Sequence, residues 1–415
     1  MRKLRNKVYL TAGYNTISMG TGRKEFHPKK SRPGIENYIQ EAGRGVIAQI
    51  NNPDNIDEGI ISNFMAARFN KQGNLAALMP TIHPSLEYKP HTRVEGACGS
   101  GGLGLLTSVK SISSEISDVV LTIGVEVQNT VKSVYGADIL AGAGHYATER
   151  KNGHVYFFPA KFSDRAGACY DKFGYDFMRK GMASWYKQAI ENARKNPKAQ
   201  EYHNSIEDLY AAGMTPPNPK TFVDHLNVYD CSKVSDGASA LLFVSEEGLK
   251  KVGLNKLDAI EVVGFGIAVA DITKPPVDLT VMTTTKKAVE KAYQMAGLGP
   301  KDIGILEVHD CFTIGGLLAL EAAGFVKPGE SSAFVQQGRT NINAELPTNA
   351  TGGLIGFGHY TGGTGVRQAV DSLHQLTGKA GDNQIKINPG KPYALMISMG
   401  GNDKTVTAMI FQKAE

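Results

Sequence analysis

One pattern occurs twice in this 415-residue chain, and it constrains the fold more than any other feature. A glycine-rich loop runs into a helix, then into an apolar strand, then into a turn of small residues. The first copy is GACGSGGLGLLTSV followed by VVLTIGVEV, within Val94–Val127. The second is GFGHYTGGTGVRQAV followed, after a helix, by YALMISMGG. In the first copy Leu103, Leu105, Leu106, Val109, Ile112 and Ile116 recur at helical spacing. Val119–Val127 is β-branched and of strand length. Such units predict a sheet covered by helices, the first block reading as parallel strands. A duplicated α/β chain brings the carboxyl ends of both sets of strands to one cleft, where open α/β sheets place ligands. One loop delivers a thiol, Cys98, to that cleft. The other delivers an imidazole, His359.

Cys98 falls at or just before a helix start, with unpaired N–H groups and the positive end of the helix dipole beside it. That placement predicts a lowered thiol pKa and a nucleophilic thiolate. The four cysteines (Cys98, Cys169, Cys231 and Cys311) have no metal-ligand spacing, and no metal is expected. Cys169, Cys231, His83 and His91 read as core or turn residues. A net charge of +5 is too mild for a nucleic-acid binder and suits a phosphorylated substrate. Met1–Lys7 is basic but no apolar signal core follows it, and no run is long enough to span a membrane. The expectation is a reduced, cytoplasmic protein.

Along the chain, Val8–Ala12, Ile56–Ser62 and Val119–Val127 read as strands and Asn37–Gln49 as a helix. Residues 1–127 and 223–255 form a first half, and 256–415 a second. Between them, residues 128–222 are aromatic, polar and irregular apart from a helix over Phe177–Lys195. This excursion is the expected wall of a ligand pocket. Its Lys151, Lys161, Arg165, Lys172 and Arg179 are candidates to meet phosphates. In the second half, strands are expected at Ala259–Gly266, Ile303–Val308, Tyr393–Ser398 and Lys404–Gln412. Helices are expected at Met282–Ala296 and Ile314–Ala323.

Three stretches now stand together: Cys98 in GACGSGG, His309-Asp310-Cys311-Phe312, and His359 in GGLIGFGHYTGGTG. In this order they resemble the thiolase superfamily. The HDCF tetrapeptide resembles the sterol-carrier-protein type and its bacterial and archaeal relatives. VYDCSKVSDGASAL resembles the family as well. The Cys-x-Gly turn of ordinary thiolases reads here as Ser398-Met399-Gly400-Gly401, without its cysteine. The resemblance implies a duplicated thiolase fold with mixed sheets and a loop domain, and coenzyme A as a substrate with no permanently bound cofactor. It implies that Cys98 carries the acyl group and His359 takes the thiol proton. Cys311 serves as the second acid/base. His309 and His359 hold the thioester oxygen that becomes the enolate. The N–H groups of Cys98 and Gly400 hold the tetrahedral oxyanion. Gly358 and Tyr360 flank the loop. The family's Gly-His-Pro is Gly358-His359-Tyr360 here, so Tyr360 is expected to project a phenol toward the acyl pocket.

The expected activity is transfer of an acyl group between CoA and a 3-oxoacyl-CoA, possible on a bulky or aromatic chain. The alternative is C-acyl transfer to a non-CoA carbon nucleophile such as a phenolic ring. An aldolase of the same fold would not need both Cys98 and Cys311, and a mere acyl-CoA-binding scaffold would not need the triad. The resemblance further implies a homodimer or dimer of dimers, and a small zinc-ribbon/OB-fold subunit. The thiolase pattern runs up to Ile410, with no fused lipid-carrier domain expected.

Overall fold

The computed structural model describes residue 4 and residues 6–150 and 153–415. Nine strands form one continuous sheet: β1 (Tyr9–Asn15), β2 (Glu58–Ser62), β3 (His91–Val94), β4 (Val119–Glu126), β5 (Gly237–Val244), β6 (Ile260–Val269), β7 (Ile303–Glu307), β8 (Tyr393–Gly400) and β9 (Thr405–Lys413). Their order is β3-β2-β4-β5-β1-β6-β9-β8-β7.

The order repeats about its middle. β2 runs parallel to β4, β4 antiparallel to β5, and β5 antiparallel to β1. Likewise β7 runs parallel to β8, β8 antiparallel to β9, and β9 antiparallel to β6. The two sets join where Tyr9 and Leu10 pair with Glu261 and Ile260. Parallel pairing of these strands is thus confined to β3-β2-β4 and β7-β8, and of the antiparallel pairs only β8-β9 is joined by a short turn.

The two glycine-rich repeats become the helices Ser100–Ser113 and Thr364–Thr377. They pack against each other so closely that a Cβ on Gly101 would stand 2.6 Å from the Gly365 nitrogen. Side chains there would push the two helices apart, and with them the loops that carry Cys98 and His359. Strands β4 and β5 are buried along their whole length, which is why they read as unbroken apolar runs.

The stretch between the halves is less irregular than its composition suggests. It holds two long helices, Phe157–Phe173 and Tyr175–Ala193. The first was not expected, because its apolar residues alternate with Lys161, Asp164, Arg165 and Lys172. Tertiary contacts stabilise it: Phe162, Ala166, Cys169 and Tyr170 enter the same core as Phe312 and Leu317. Four of the five phosphate candidates have partners within the chain. Arg179 is paired with Asp230, both fully buried, and Lys161 with Glu149. Lys172 binds Thr280 and faces Asp278. Arg165 is buried and donates to Asn402 and to the carbonyls of Leu279 and Val281. Lys151 lies outside the described residues. Cys169 is core, and His83 and His91 bond locally around the Pro84–Leu86 turn.

Candidate functional site

Cys98 sits in a one-turn 3-10 helix, Ala97–Gly99, directly before the Ser100–Ser113 helix. The residue before it, Ala97, has φ of 56°, a left-handed conformation that costs a non-glycine residue about 1 kcal/mol or more. Local bonds hold it. The Ala97 N–H donates to Glu95 at 2.5 Å, and Ser100 Oγ donates to the Ala97 carbonyl at 2.6 Å. The strained turn leaves the Cys98 side chain partly exposed.

Ligand-type atoms of Cys98, His309 and His359 all lie within 4.8 Å of one another. The two imidazoles meet edge to face at 5.0 Å between centroids. Cys311 is 7 % exposed and near enough to Cys98 and Cys231 for each to push its thiol further up. The fold therefore gathers the four side chains from three separate stretches: the β3-to-helix turn, the end of β7, and the loop after Gly353–Phe357.

The tautomer of His359 follows from its partners. Its Nδ1 lies 2.8 Å from Thr364 Oγ1, and Thr364 Oγ1 donates to the Tyr360 carbonyl at 3.2 Å. The Thr364 oxygen is then an acceptor for Nδ1–H, which leaves His359 Nε2 with a free lone pair. The backbone of His359 is fixed on both sides. Its N–H donates to Ser235 and its carbonyl accepts from Gln128, each at 2.8 Å.

Burial dominates the electrostatics. It holds His359 down at about 3 and His309 well below the usual histidine range, with Arg367 adding to both. Both imidazoles are neutral at physiological pH. Burial, reinforced by the Glu126 carboxylate, pushes the Cys98 thiol up to about 12. The expectation of a lowered thiol pKa is overturned: desolvation and an adjacent anion outweigh the helix terminus. The free protein holds a protonated Cys98 beside a neutral base.

Glu126 is the main residue that sequence reading missed. It is fully buried at the end of β4 and accepts five hydrogen bonds, from Asn63, Phe64 N, Met65 N, Thr361 and Gly362 N, at 2.8–3.1 Å. One carboxylate thus ties the loop after β2 to the His359 loop. A lone charge inside the apolar run Val119–Val127 was the available signal.

The N–H beside the nucleophile differs from the expected one by one residue. The Gly401 N–H, with that of Cys98, faces the Cys98 sulfur and favours its charged form; Gly400 lies in the ladder opposite Thr405. Strand alternation explains the shift. Met399 packs in the Cys311 core, whereas Ser398 faces Gly102 and Gly365 between the two helices. Within the Ser398-Met399-Gly400-Gly401 turn it is therefore Gly401 whose N–H stands beside the nucleophile. Gly401 has φ of 67°, and a Cβ there would stand 2.8 Å from the Ala143 carbonyl oxygen. Gly401→Ala keeps the N–H but pushes the turn off the Ala143 carbonyl, and a displacement of about 1 Å is expected to lower kcat about 10²-fold with little change in KM. Steady-state kinetics check it, and a loss under threefold would reject the donor role.

Tyr360 is also corrected. It does not reach toward an acyl chain. It is fully buried and its phenol bonds Ser239 of β5 at 2.8 Å, with its ring against Gly237 and Gly363. Gly358 has φ of 117° and is crowded by Ser18 and Ser235, so its role here is conformational.

A duplicated α/β fold with a cysteine nucleophile candidate, two neutral imidazoles and a second thiol defines an acyltransferase of the thiolase type. The thiolase N-terminal domain family matches residues 30–247, and the thiolase C-terminal domain-like family matches residues 271–413. The chain belongs to the thiolase family. It is 33 % identical to an acetyl-CoA acetyltransferase of Methanothermobacter thermautotrophicus, over 91 % of this chain and 94 % of that one. It is 34 % identical to the acetyl-CoA acetyltransferase of Methanocaldococcus jannaschii, over 94 % and 96 %. It is 27 % identical to the benzoylsuccinyl-CoA thiolase subunit BbsB of Thauera aromatica, over 93 % of each. Its fold is similar to a solved structure described as an Ltp2-ChsH2(DUF35) aldolase, with a TM-score of 0.79 and 20 % identity over 99 % of this chain and 98 % of that one.

Proposed function

We propose that the protein transfers an acyl group between CoA and a 3-oxoacyl-CoA through a thioester on Cys98. The observation that carries this is the convergence of Cys98, His309 and His359 within 4.8 Å, with Cys311 beside them. In thiolysis the Cys98 proton passes to His359 Nε2 as the sulfur attacks the 3-oxo carbon. The tetrahedral oxyanion meets the N–H groups of Gly401 and Cys98. The Cα–Cβ bond then breaks. Its electrons pass into the acetyl-CoA enolate, whose oxygen is held by His309 and His359, and Cys311 protonates its carbon. The Cys311 thiolate left behind takes the proton of incoming CoA. CoA sulfur attacks the thioester, and Cys98 leaves and recovers its proton from His359. Synthesis is the same path reversed. Free thiol and free imidazole are both neutral at rest, so proton transfer coincides with attack.

The likeness to two acetyl-CoA acetyltransferases supports a short acyl group. Intact-mass measurement after incubation with acetyl-CoA tests the reading: a 42 Da gain, about one acetyl in place of hydrogen, lost on adding CoA, is expected. No adduct with acetyl-CoA or any 3-oxoacyl-CoA would reject it. An adduct that resists CoA but transfers to a phenol would favour the C-acyltransferase alternative.

Two partners are part of the proposal. β3 ends the sheet with one free edge and leads directly to Cys98, which supports a homodimer formed there. Relatives described as a subunit or in complex with a second protein support a small zinc-ribbon/OB-fold partner. Among the described residues, no helix is long and apolar enough to cross a membrane.

A further inference from the structure

We infer that Asp310 is a positioning residue that sets the register between the Cys311 segment and the His359 loop, through hydrogen bonds accepted from Trp185 and Leu354. The inference rests on the acyl-transfer reading above.

His309 and Cys311 belong to the cluster around Cys98, and Asp310 between them turns the other way, fully buried. One carboxylate oxygen accepts from the Leu354 N–H at 2.7 Å, and the other from the Trp185 indole N–H at 2.9 Å. Leu354 belongs to the short helix Gly353–Phe357, which hands the chain to Gly358 and His359. Trp185 is the chain's single tryptophan and comes from the Tyr175–Ala193 helix. Its indole is wedged against Gly316, where a Cβ would stand 2.4 Å from the ring. Gly316 lies in the Thr313–Ala322 helix that starts right after Phe312. One carboxylate therefore joins three elements around the catalytic tripeptide.

The surroundings are shaped for it. Gly353 has φ of 61°, and a Cβ there would stand 2.5 Å from an Asp310 carboxylate oxygen. Asn349 braces the strand end from the same side, accepting from the Val308 N–H at 2.8 Å and donating to its carbonyl at 3.2 Å. The direct partners of Asp310 are N–H donors; Arg367 is the nearby cation, and the buried Glu307 carboxyl and the Cys311 thiol lie close enough to feel its charge. Burial raises its carboxyl to about 6, so the anion is kept at a cost that the two donors offset. A neutral amide of the same shape accepts at one oxygen only and turns an N–H against the second donor.

His359 has its own anchors in Ser235, Gln128 and Thr364. Loss of the Asp310 bonds should therefore displace His309 and Cys311 and leave the Cys98–His359 pair in place. Misplacement by about 1 Å costs about 10²-fold in the step that needs the displaced group.

The test compares wild type, Asp310→Asn and Trp185→Phe in two partial reactions: Cys98 acylation by p-nitrophenyl acetate, whose leaving group needs no proton from Cys311, read by intact mass, and exchange of acetyl-CoA α-protons into deuterated water. In Asp310→Asn, acylation should stay within about threefold of wild type while exchange falls about 100-fold. Trp185→Phe should lower exchange about tenfold, since one of two bonds is lost. Exchange within threefold of wild type in both variants, or acylation and exchange falling in parallel, would overturn the inference. If Asp310→Asn fails to fold by circular dichroism, Trp185→Phe decides alone. A wild-type protein that neither acylates nor exchanges overturns the acyl-transfer reading itself, a result distinct from an active wild type with unaffected variants.

Discussion

Cys98→Ala is expected to show no mass adduct with acetyl-CoA and to lose at least about 10⁴-fold in acyl-transfer rate, the scale seen when a covalent nucleophile is removed. The fold should survive. Cys98 is partly exposed, and the strained turn at Ala97 is held by Glu95 and Ser100 rather than by the thiol. Activity above about 1 % of wild type, with an unchanged melting profile, would refute the nucleophile. The same thiol gives a pH signature. It is held up at about 12, so its thiolate fraction rises tenfold per pH unit throughout the neutral range. Alkylation of the free enzyme by iodoacetamide should climb steadily with pH and show no plateau below about 10. A plateau near neutrality would mean that a stable thiolate–imidazolium pair exists, against the burial of both groups.

Cys311→Ala should fail differently. It should still accept an acyl group on Cys98 from an activated donor whose leaving group needs no proton, because that step uses His359 and the donors of Gly401 and Cys98. Exchange of the acetyl-CoA α-protons should fall about 10²–10⁴-fold, the range for loss of a general acid/base. Cys311 is buried and pushed up first by desolvation and then by Cys98, so it rests as a neutral thiol able to donate a proton to the departing enolate. Undiminished α-exchange would remove it from the mechanism. Cys98→Ala and Cys311→Ala thus separate two thiols that a bulk activity assay would not distinguish.

The legible parts of this protein were those whose residue types are forced by their job. Strands β4, β5 and β8 lie inside the sheet and must be apolar, so they stood out as runs. The Ser100–Ser113 and Thr364–Thr377 helices must cross closely, so their glycines stood out as a repeat. Cys98, His309, Cys311 and His359 are reactive types set in short motifs; the repeat brought Cys98 and His359 to one cleft, and the resemblance to thiolases added His309 and Cys311. What stayed hidden depended on contacts between distant residues. Gly400 and Gly401 are adjacent and lack side chains, so nothing in the sequence phases the strand and tells which N–H faces the sulfur. Arg165 and Arg179 look like surface cations until Asn402 and Asp230 are folded against them. Tyr360 looks available until Ser239 arrives from another strand. The thiol's resting state depends on desolvation and on Glu126, and both exist only after β4 is closed in. The sequence by itself determined which groups can react and the kind of scaffold that carries them. The tertiary structure decided their protonation states and the donors beside them, because burial and hydrogen bonding are sums over neighbours far apart in the chain.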